Sequence, residues 1–277
     1  MLTRRSALAC GLAVAGQLGL SLAWRPVHAQ GAALDHNYGA WDSLLRKHVQ
    51  WLPDNKQSRA NYKGFAGDHA QLRKLLAEWS GVTAAAFAAF SREQQMAFLI
   101  NAYNGFTVEL ILTKYPDLKS IKDLGNLLQS PWRKKFFTLL GEERHLDWIE
   151  HEQLRPRYSD PRVHGAVNCA SIGCPALRPE AFTAARLETQ LDDGMLRFMA
   201  DRTRNRYANG KAEISSIFKW FKEDFEKGYK GLHRIEDLLA RYAEQLADTA
   251  ADREKLKSGL VTISHLDYDW SLNDIGR

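Results

Sequence analysis

The sequence SREQQMAFLINAYNGFTVELILTKY, residues 91–115, predicts one long buried helix. Ser91 can cap the first turn, and Gln94, three residues later, is the partner that a capping box needs. Apolar side chains cover almost every side of the segment, which is typical of a helix enclosed by other elements. Asn101 and Asn104 lie one turn apart on one face. Because buried amides need hydrogen-bond partners, we expect this pair either to tie the helix to another segment or to serve the functional site.

Apolar residues recur at helical spacing on both sides of this segment. Pro53 is expected to end the first of the flanking helices, because proline cannot continue a helix. The segments predicted to be helical are residues 41–52, 69–79, 83–90, 146–154, 183–204, 216–228 and 232–246.

Strand patterns are concentrated after residue 135. The strongest is centred on Asn209-Gly210, a dipeptide that favours the tight turn of a β-hairpin. No repeat or linker-like composition divides residues 40–277. The sequence therefore predicts an α+β fold, with a single, predominantly helical domain and a few short antiparallel strands. The segments predicted to be extended are residues 135–146, 162–167, 206–214 and 260–266.

The first 29 residues have the pattern of an export signal. Arg4 and Arg5 precede an apolar stretch, and Ala29 suits the cleavage site of a signal peptide. The apolar stretch is barely long enough to span a membrane and contains several glycines, so a permanent anchor is the poorer interpretation. We expect residues 1–29 to be a signal peptide used by the Sec or the twin-arginine route. Residues 30–39 are then a flexible leader, and residues 40–277 a globular domain that is periplasmic or secreted.

The composition of the chain limits the kinds of partner that it is expected to bind. Hydrophobic residues make up 45% of the chain, enough for a substantial core. The formal net charge of +5 falls to +2 when the three arginines of residues 1–29 are removed with the signal. This small charge does not indicate a nucleic-acid partner. No later segment is apolar enough to span a membrane, and the substrate or protein partner is not indicated.

Two cysteines, Cys169 and Cys174, remain after removal of the signal. In an oxidising compartment a structural disulfide between them is one expectation, because the loop-like residues around them allow bridging. A reactive thiol is the other expectation, since a nearby imidazolium or helix start lowers a thiol pKa. Two cysteines and two histidines match the ligand number of zinc, but their spacing fits poorly. We therefore expect no metal and no cofactor.

Five separated motifs stand out along the chain. They are residues 98–104, Asp147-Trp148-Ile149-Glu150-His151, residues 163–175, Ile217-Phe218-Lys219-Trp220-Phe221 and Tyr268-Asp269-Trp270-Ser271-Leu272-Asn273. Together they resemble the domain-of-unknown-function family 547, which is found in bacteria and plants. The resemblance covers about residues 90–275 and implies a shared fold and a shared polar centre. It implies no reaction, because none is assigned to that family.

Two functional hypotheses follow from these motifs. One is a cysteine-dependent hydrolase or acyl transferase of the papain or transglutaminase type, in which an amide orients the imidazole. If residues 164–169 were a regular strand, the histidine and the cysteine at its ends would point to opposite faces, so a turn is needed. The residues assigned to this site are Cys169 as nucleophile, His164 or His151 as base, Asn104 or Asn101 as orienting amide, Glu150 to fix the tautomer of the base, and Asn168 and Ser171 in support.

The other hypothesis is a non-enzymatic binding or scaffold domain, with a Cys169–Cys174 disulfide as part of its core. The aromatic residues near positions 220 and 270 are expected to belong to the core and to a C-terminal staple rather than to a ligand site.

Overall fold

The computed structural model describes residues 34–126 and 129–276. The predicted signal peptide and the start of the predicted leader lie outside the described residues. The α+β fold class is confirmed, since helices dominate and the strands form small sheets. None of the described helices is both long enough and apolar enough to cross a membrane.

The α-helices of the described residues are numbered in chain order, and shorter 3-10 and π segments lie between them. They are α1 (Gly39–His48), α2 (Tyr62–Gly67), α3 (His69–Ser80), α4 (Ala84–Ala88), α5 (Arg92–Leu112), α6 (Arg155–Tyr158), α7 (Leu187–Ala200), α8 (Ile217–Trp220), α9 (Lys222–Phe225), α10 (Ile235–Arg241), α11 (Ala243–Leu246) and α12 (Ala250–Ser258).

The helix α5 is the buried segment expected from its sequence. The capping box between Ser91 and Gln94 is present, and nearly all later side chains of the helix are buried. The helix packs against α2, α3 and the π-helical turn Trp148–Leu154. Gly105 allows the close approach of α3, because a Cβ there would lie 2.8 Å from the Trp79 ring. This helix is the centre of the larger of two hydrophobic clusters.

The second cluster is built from the C-terminal half of α7 and the elements that follow it. The helix α7 joins the two, because Leu187 and Leu191 belong to the first cluster while Met195 and Phe198 belong to the second.

Seven short strands form three small sheets among the described residues. Both predicted hairpins are present, and the turn at Asn209-Gly210 has the positive φ angles that such a turn requires. The strand β7 pairs with β6 in parallel, whereas only antiparallel pairing was expected. The strands are β1 (Val49–Trp51), β2 (Ser58–Ala60), β3 (Phe137–Leu139), β4 (Glu142–Arg144), β5 (Arg206–Ala208), β6 (Lys211–Ser215) and β7 (Thr262–Leu266).

Three local predictions were wrong. The first helix ends at His48 rather than near Pro53, because Val49 is already extended and pairs with Ala60. The predicted strand over residues 162–167 is a 3-10 turn, Pro161–Gly165, that proline starts and Asp160 caps. The helices predicted over residues 216–228 and 232–246 are each broken into two.

Candidate active site

A cleft of about 220 Å³ lies where the first three of the five sequence motifs meet. The first motif contributes Tyr103 from α5, the second the π-helical turn, and the third the loop that follows the 3-10 turn Pro161–Gly165. Both cysteines and both candidate histidines therefore face one cavity. Its polar lining residues are Asp147, Glu150, His151, His164, Cys169 and Cys174.

The two helix amides hold backbone rather than a histidine. Asn104 donates to the carbonyl of Ala166 at 3.0 Å and accepts from the N–H of Asn168 at 2.8 Å. Asn101 makes the same pair of bonds to Phe182, at 2.8 and 3.0 Å. Within the described part of the chain neither amide is hydrogen-bonded to an imidazole, in contrast to the orienting role considered for them. Asn104 instead positions the start of the cysteine loop.

The cysteine loop is sharply bent beside the first thiol. Asn168 donates to the carbonyl of Pro175 at 2.8 Å and accepts from the N–H of Ala170 at 2.9 Å. These bonds close the loop on itself. Ala170 is buried and has a φ of 61°, a left-handed conformation that is unfavourable for a residue with a Cβ. Non-glycine residues in this conformation are concentrated at functional sites, where the surroundings enforce it.

The two thiols are in direct contact. Both cysteines are free, and their sulfur atoms lie 2.6 Å apart. The Cys169 sulfur also lies 3.1 Å from the hydroxyl of Ser171 and 3.2 Å from that of Tyr268. The backbone N–H of Cys169 donates to the Cys174 sulfur at 3.0 Å. Across residues 34–126 and 129–276, no hydrogen bond joins either sulfur to a histidine.

Hydrogen bonds around the two thiols stabilise one negative charge on the pair. Burial opposes ionisation of Cys174, but hydrogen bonds from the Cys169 thiol, Tyr268 and the Cys169 backbone outweigh it and lower the pKa to about 7. Burial raises the pKa of Cys169 well above its usual value, and the neighbouring Cys174 raises it further. The two sulfurs titrate as a unit, with the first proton lost near neutral pH and the second retained.

His164 is fixed by a carboxylate. Its Nε2 lies 2.8 Å from Oδ2 of Asp224, and its ring stacks on Phe221 with a centroid distance of 4.1 Å. Burial lowers the pKa of His164, so the imidazole is neutral near pH 7. Burial works against the charge of Asp224, yet hydrogen bonds from His164, Arg155 and Lys227 hold its pKa well below the usual value. With Nε2 donating to this carboxylate, Nδ1 is left as the proton acceptor.

The π-helical turn Trp148–Leu154 carries the other polar residues, and single π turns occur frequently at functional sites. Nδ1 of His151 accepts from Arg155 at 2.8 Å, and its Nε2 lies 3.6 Å from Asp147. Glu150 is only 6% exposed, and burial raises its pKa to about 7 despite a hydrogen bond from Tyr103. Its Oε1 lies 3.9 Å from Nδ1 of His164. The carboxyl therefore faces the base that it was expected to orient.

Aromatic rings also line the cleft and form its aromatic wall, although they were expected to belong to the core and to a C-terminal staple. Trp220 is 47% exposed, and its ring lies 4.9 Å from that of Tyr268 and 5.7 Å from that of Trp270. Trp132 meets Trp270 edge to face at 5.7 Å. Only Phe218 of the predicted aromatic core group is fully buried. The aromatic wall thus lies within reach of a ligand at the thiols.

A comparison with protein-family models matches residues 87–199 to a family described as "Protein of unknown function, DUF547". Residues 87–199 form a DUF547 domain. This domain contains the thiols, both cleft histidines and Glu150. The motifs at residues 217–221 and 268–273 lie beyond the matched range but line the same cleft. Searches of curated proteins and of solved structures found no match.

Two site residues were missed at the sequence level. Tyr268 lies in one of the motifs on which the family resemblance rests, and that motif could have indicated it. The sequence analysis instead assigned Tyr268 to a C-terminal staple. No sequence pattern marked Asp224 as a site residue, because an acidic residue in a short, charged helix is usually exposed to solvent. Its partner His164 lies 60 residues earlier in the DUF547 domain.

Replacing Tyr268 with phenylalanine tests the thiol environment. The change keeps the ring but removes a hydroxyl 3.2 Å from the Cys169 sulfur. A hydrogen bond to a charged group contributes about 1.5 kcal/mol or more, so the first thiol pKa should rise by roughly one unit. Alkylation by iodoacetamide at pH 7 should slow about fivefold, because the thiolate fraction falls from about one half to about one tenth. Tyr207, which does not line the cleft, supplies the control Tyr207→Phe. An unchanged pH–rate profile in Tyr268→Phe would contradict this assignment.

Proposed function

We propose that the chain is an exported, thiol-dependent enzyme that catalyses hydrolysis or acyl transfer. One observation carries this proposal: the Cys169–Cys174 pair and the carboxylate-bound His164 line the same cleft. A thiol whose proton can pass to a neighbouring thiolate, and a fixed neutral imidazole, supply the nucleophile and the base that covalent acyl transfer needs. Export is supported by the pattern of residues 1–29.

In the first step the Cys169 sulfur attacks the acyl carbon of the substrate. Its proton passes to the Cys174 thiolate, 2.6 Å away, and then to the leaving group. A carbon–sulfur bond forms and the bond to the leaving group breaks. This route explains why Cys169, the more exposed of the two thiols, can react without a histidine beside it.

In the second step a water or another acceptor attacks the thioester. His164 takes the proton of the acceptor, the carbon–sulfur bond breaks, and the proton returns to the Cys169 thiolate. His164 suits this role better than His151, because Asp224 and Phe221 fix its ring. Nδ1 of His151 is already bound by Arg155.

Acylation by an activated ester tests the proposal. Reduced protein treated with p-nitrophenyl acetate should gain one acetyl group on Cys169, detected by mass spectrometry, and Cys169→Ser should gain none. Replacing His164 with glutamine should slow loss of the acetyl group by about a hundredfold, the usual contribution of a general base. His265→Gln, at an exposed position outside the cleft, is the control. Acetylation elsewhere, or equal deacylation rates, would exclude this mechanism.

The second candidate is a binding or scaffold domain with a structural disulfide. The sulfur–sulfur distance of 2.6 Å favours it, because only a small movement separates this contact from a bond of about 2.05 Å. The two candidates differ in the state of the native thiols. A permanent Cys169–Cys174 bond in the exported protein, with a large loss of thermal stability in Cys174→Ser, would support the scaffold. Free thiols that react with the ester would support the enzyme.

A further inference from the structure

A buried carboxyl faces the cleft without a cation. Glu150 is 6% exposed, lines the cavity and accepts from Tyr103. Within the described part of the chain no lysine or arginine nitrogen lies within 4 Å of it, and its nearest basic atom is Nδ1 of His164, at 3.9 Å. Burying a carboxylate without a counter-ion is costly, which is why its pKa is raised. The other ionisable groups that act on Glu150 are Asp147, Cys174 and Arg155.

The cations near the cleft already have partners. Arg155 is bound to Asp224 and to His151, and Arg133 lies 3.7 Å from Asp147. Lys122 lies over the ring of Trp270, 3.8 Å from its centroid. Among the described residues, neither a lysine nor an arginine lines the cavity. None of the described lysines and arginines is therefore free to neutralise Glu150, whereas a cationic ligand in the cleft could do so.

The aromatic wall suits such a charge. The rings of Trp220 and Trp270 are inclined to each other by only 24°, whereas Tyr268 is inclined to them by 52° and 51°, so the wall presents ring faces in two directions. Cations are attracted to the faces of aromatic rings, most strongly to those of tryptophan. The contact of Lys122 with Trp270 shows that this wall already binds one ammonium group.

We infer that the cleft binds the ammonium group of a primary amine at Glu150, and that this amine is the acyl acceptor of the site. The inference rests on the proposed function and makes the reaction a transfer rather than a hydrolysis. The ammonium first gives one proton to His164, which passes it to solvent. The amine nitrogen then attacks the thioester carbon, the carbon–nitrogen bond forms and the carbon–sulfur bond breaks. The second amine proton goes to the departing Cys169 thiolate, which leaves an amide and a free thiol.

Binding is tested separately from chemistry in the reduced Cys169→Ser protein. Tryptophan fluorescence and calorimetry are followed during titration with n-butylammonium, with n-butanol and butyrate as neutral and anionic analogues. The ammonium should bind at least tenfold more tightly than either analogue, the difference expected for a hydrogen-bonded charge. Near pH 7 its binding should release protons, seen as a dependence of the heat on the buffer, because a bound cation favours the ionised form of Glu150.

Matched variants locate the ammonium. In the Cys169→Ser background, Glu150→Gln should weaken n-butylammonium binding about tenfold and abolish proton release. Glu142→Gln, on the exposed strand β4, should change neither. Trp220→Ala, at a partly exposed position, should weaken binding about threefold through loss of a ring face. Equal binding of butanol, or proton release that persists in Glu150→Gln, would overturn the inference.

A transfer assay separates this inference from the proposed function. Acetylated wild-type protein supplied with n-butylamine should form N-butylacetamide faster than acetate at neutral pH. Tight ammonium binding without acetylation of Cys169 would contradict the proposed enzyme activity but support the ammonium site. Acetylation followed only by hydrolysis, with no effect of the amine, would contradict the inference that an amine is the acyl acceptor. It would still support the proposed enzyme activity.

Discussion

Replacing Asn104 with alanine is expected to lower the free energy of unfolding by about 3 kcal/mol. The side chain is buried, and its two hydrogen bonds satisfy the carbonyl of Ala166 and the N–H of Asn168. Each buried backbone group left without a partner costs about 1–3 kcal/mol. Chemical denaturation measures this loss. Because Asn168 precedes Cys169, the alkylation rate of the thiols should change as well.

Asn101→Ala is the matched control. Asn101 lies on the same helix face and makes the same two kinds of bond, but to Phe182. We expect a similar loss of stability without a change in the thiol pH–rate profile, measured well below the unfolding transition. If both variants altered the thiols equally, or neither did, Asn104 would have no specific role in positioning the cysteine loop.

Replacing Glu150 with glutamine is expected to remove a pH-dependent loss of stability. The folded-state pKa of about 7 lies above the usual value of 4.5. Below pH 4.5 both states are protonated and this group has no effect. As the pH rises through 7 the unfolded chain has already released the proton that the folded chain still holds, so stability falls. The loss is complete above pH 7 and amounts to about 3 kcal/mol.

The measurement compares the free energy of unfolding of wild type and Glu150→Gln at pH 4 and at pH 8. The difference between the two proteins should shift by up to about 3 kcal/mol in favour of the variant at the higher pH. Comparing the proteins at each pH cancels the titration of the thiols and histidines. Glu143→Gln, at an exposed hairpin position, should show no such shift. A parallel pair of stability profiles would mean that Glu150 is ionised in the folded protein at neutral pH.

The long helix α5 and the two hairpins were predicted from the sequence because their signals are local. A capping box, an all-round apolar pattern and an Asn-Gly turn each act within a few residues. The segment that follows Asp160 was misjudged for the opposite reason. Its apolar pattern resembled a strand, but Pro161 and the Asp160 cap favour a 3-10 turn. That turn removes the geometric objection to placing His164 and Cys169 in one cleft.

The site was predicted in part. The residue types in the three motifs and the family resemblance placed Cys169, His164, His151 and Glu150 together, and all four line the cavity. The roles of these residues were harder to predict from the sequence. The direct sulfur–sulfur contact and the carboxylate of Asp224 on His164 depend on how separate loops pack. No spacing in the sequence reports those distances.

The sequence by itself determined the buried helix, its two amides, the hairpins and the set of reactive side chains. Only the tertiary structure decided that the amides bind backbone groups and that Tyr268 reaches a thiol 99 residues earlier. It also decided that Glu150 is buried with no lysine or arginine of residues 34–126 and 129–276 paired with it. The physical reason is the separation along the chain over which each kind of interaction acts. Helix caps and turns are set by neighbours in the chain, whereas burial, pKa shifts and contacts between distant segments depend on the packing of the whole domain.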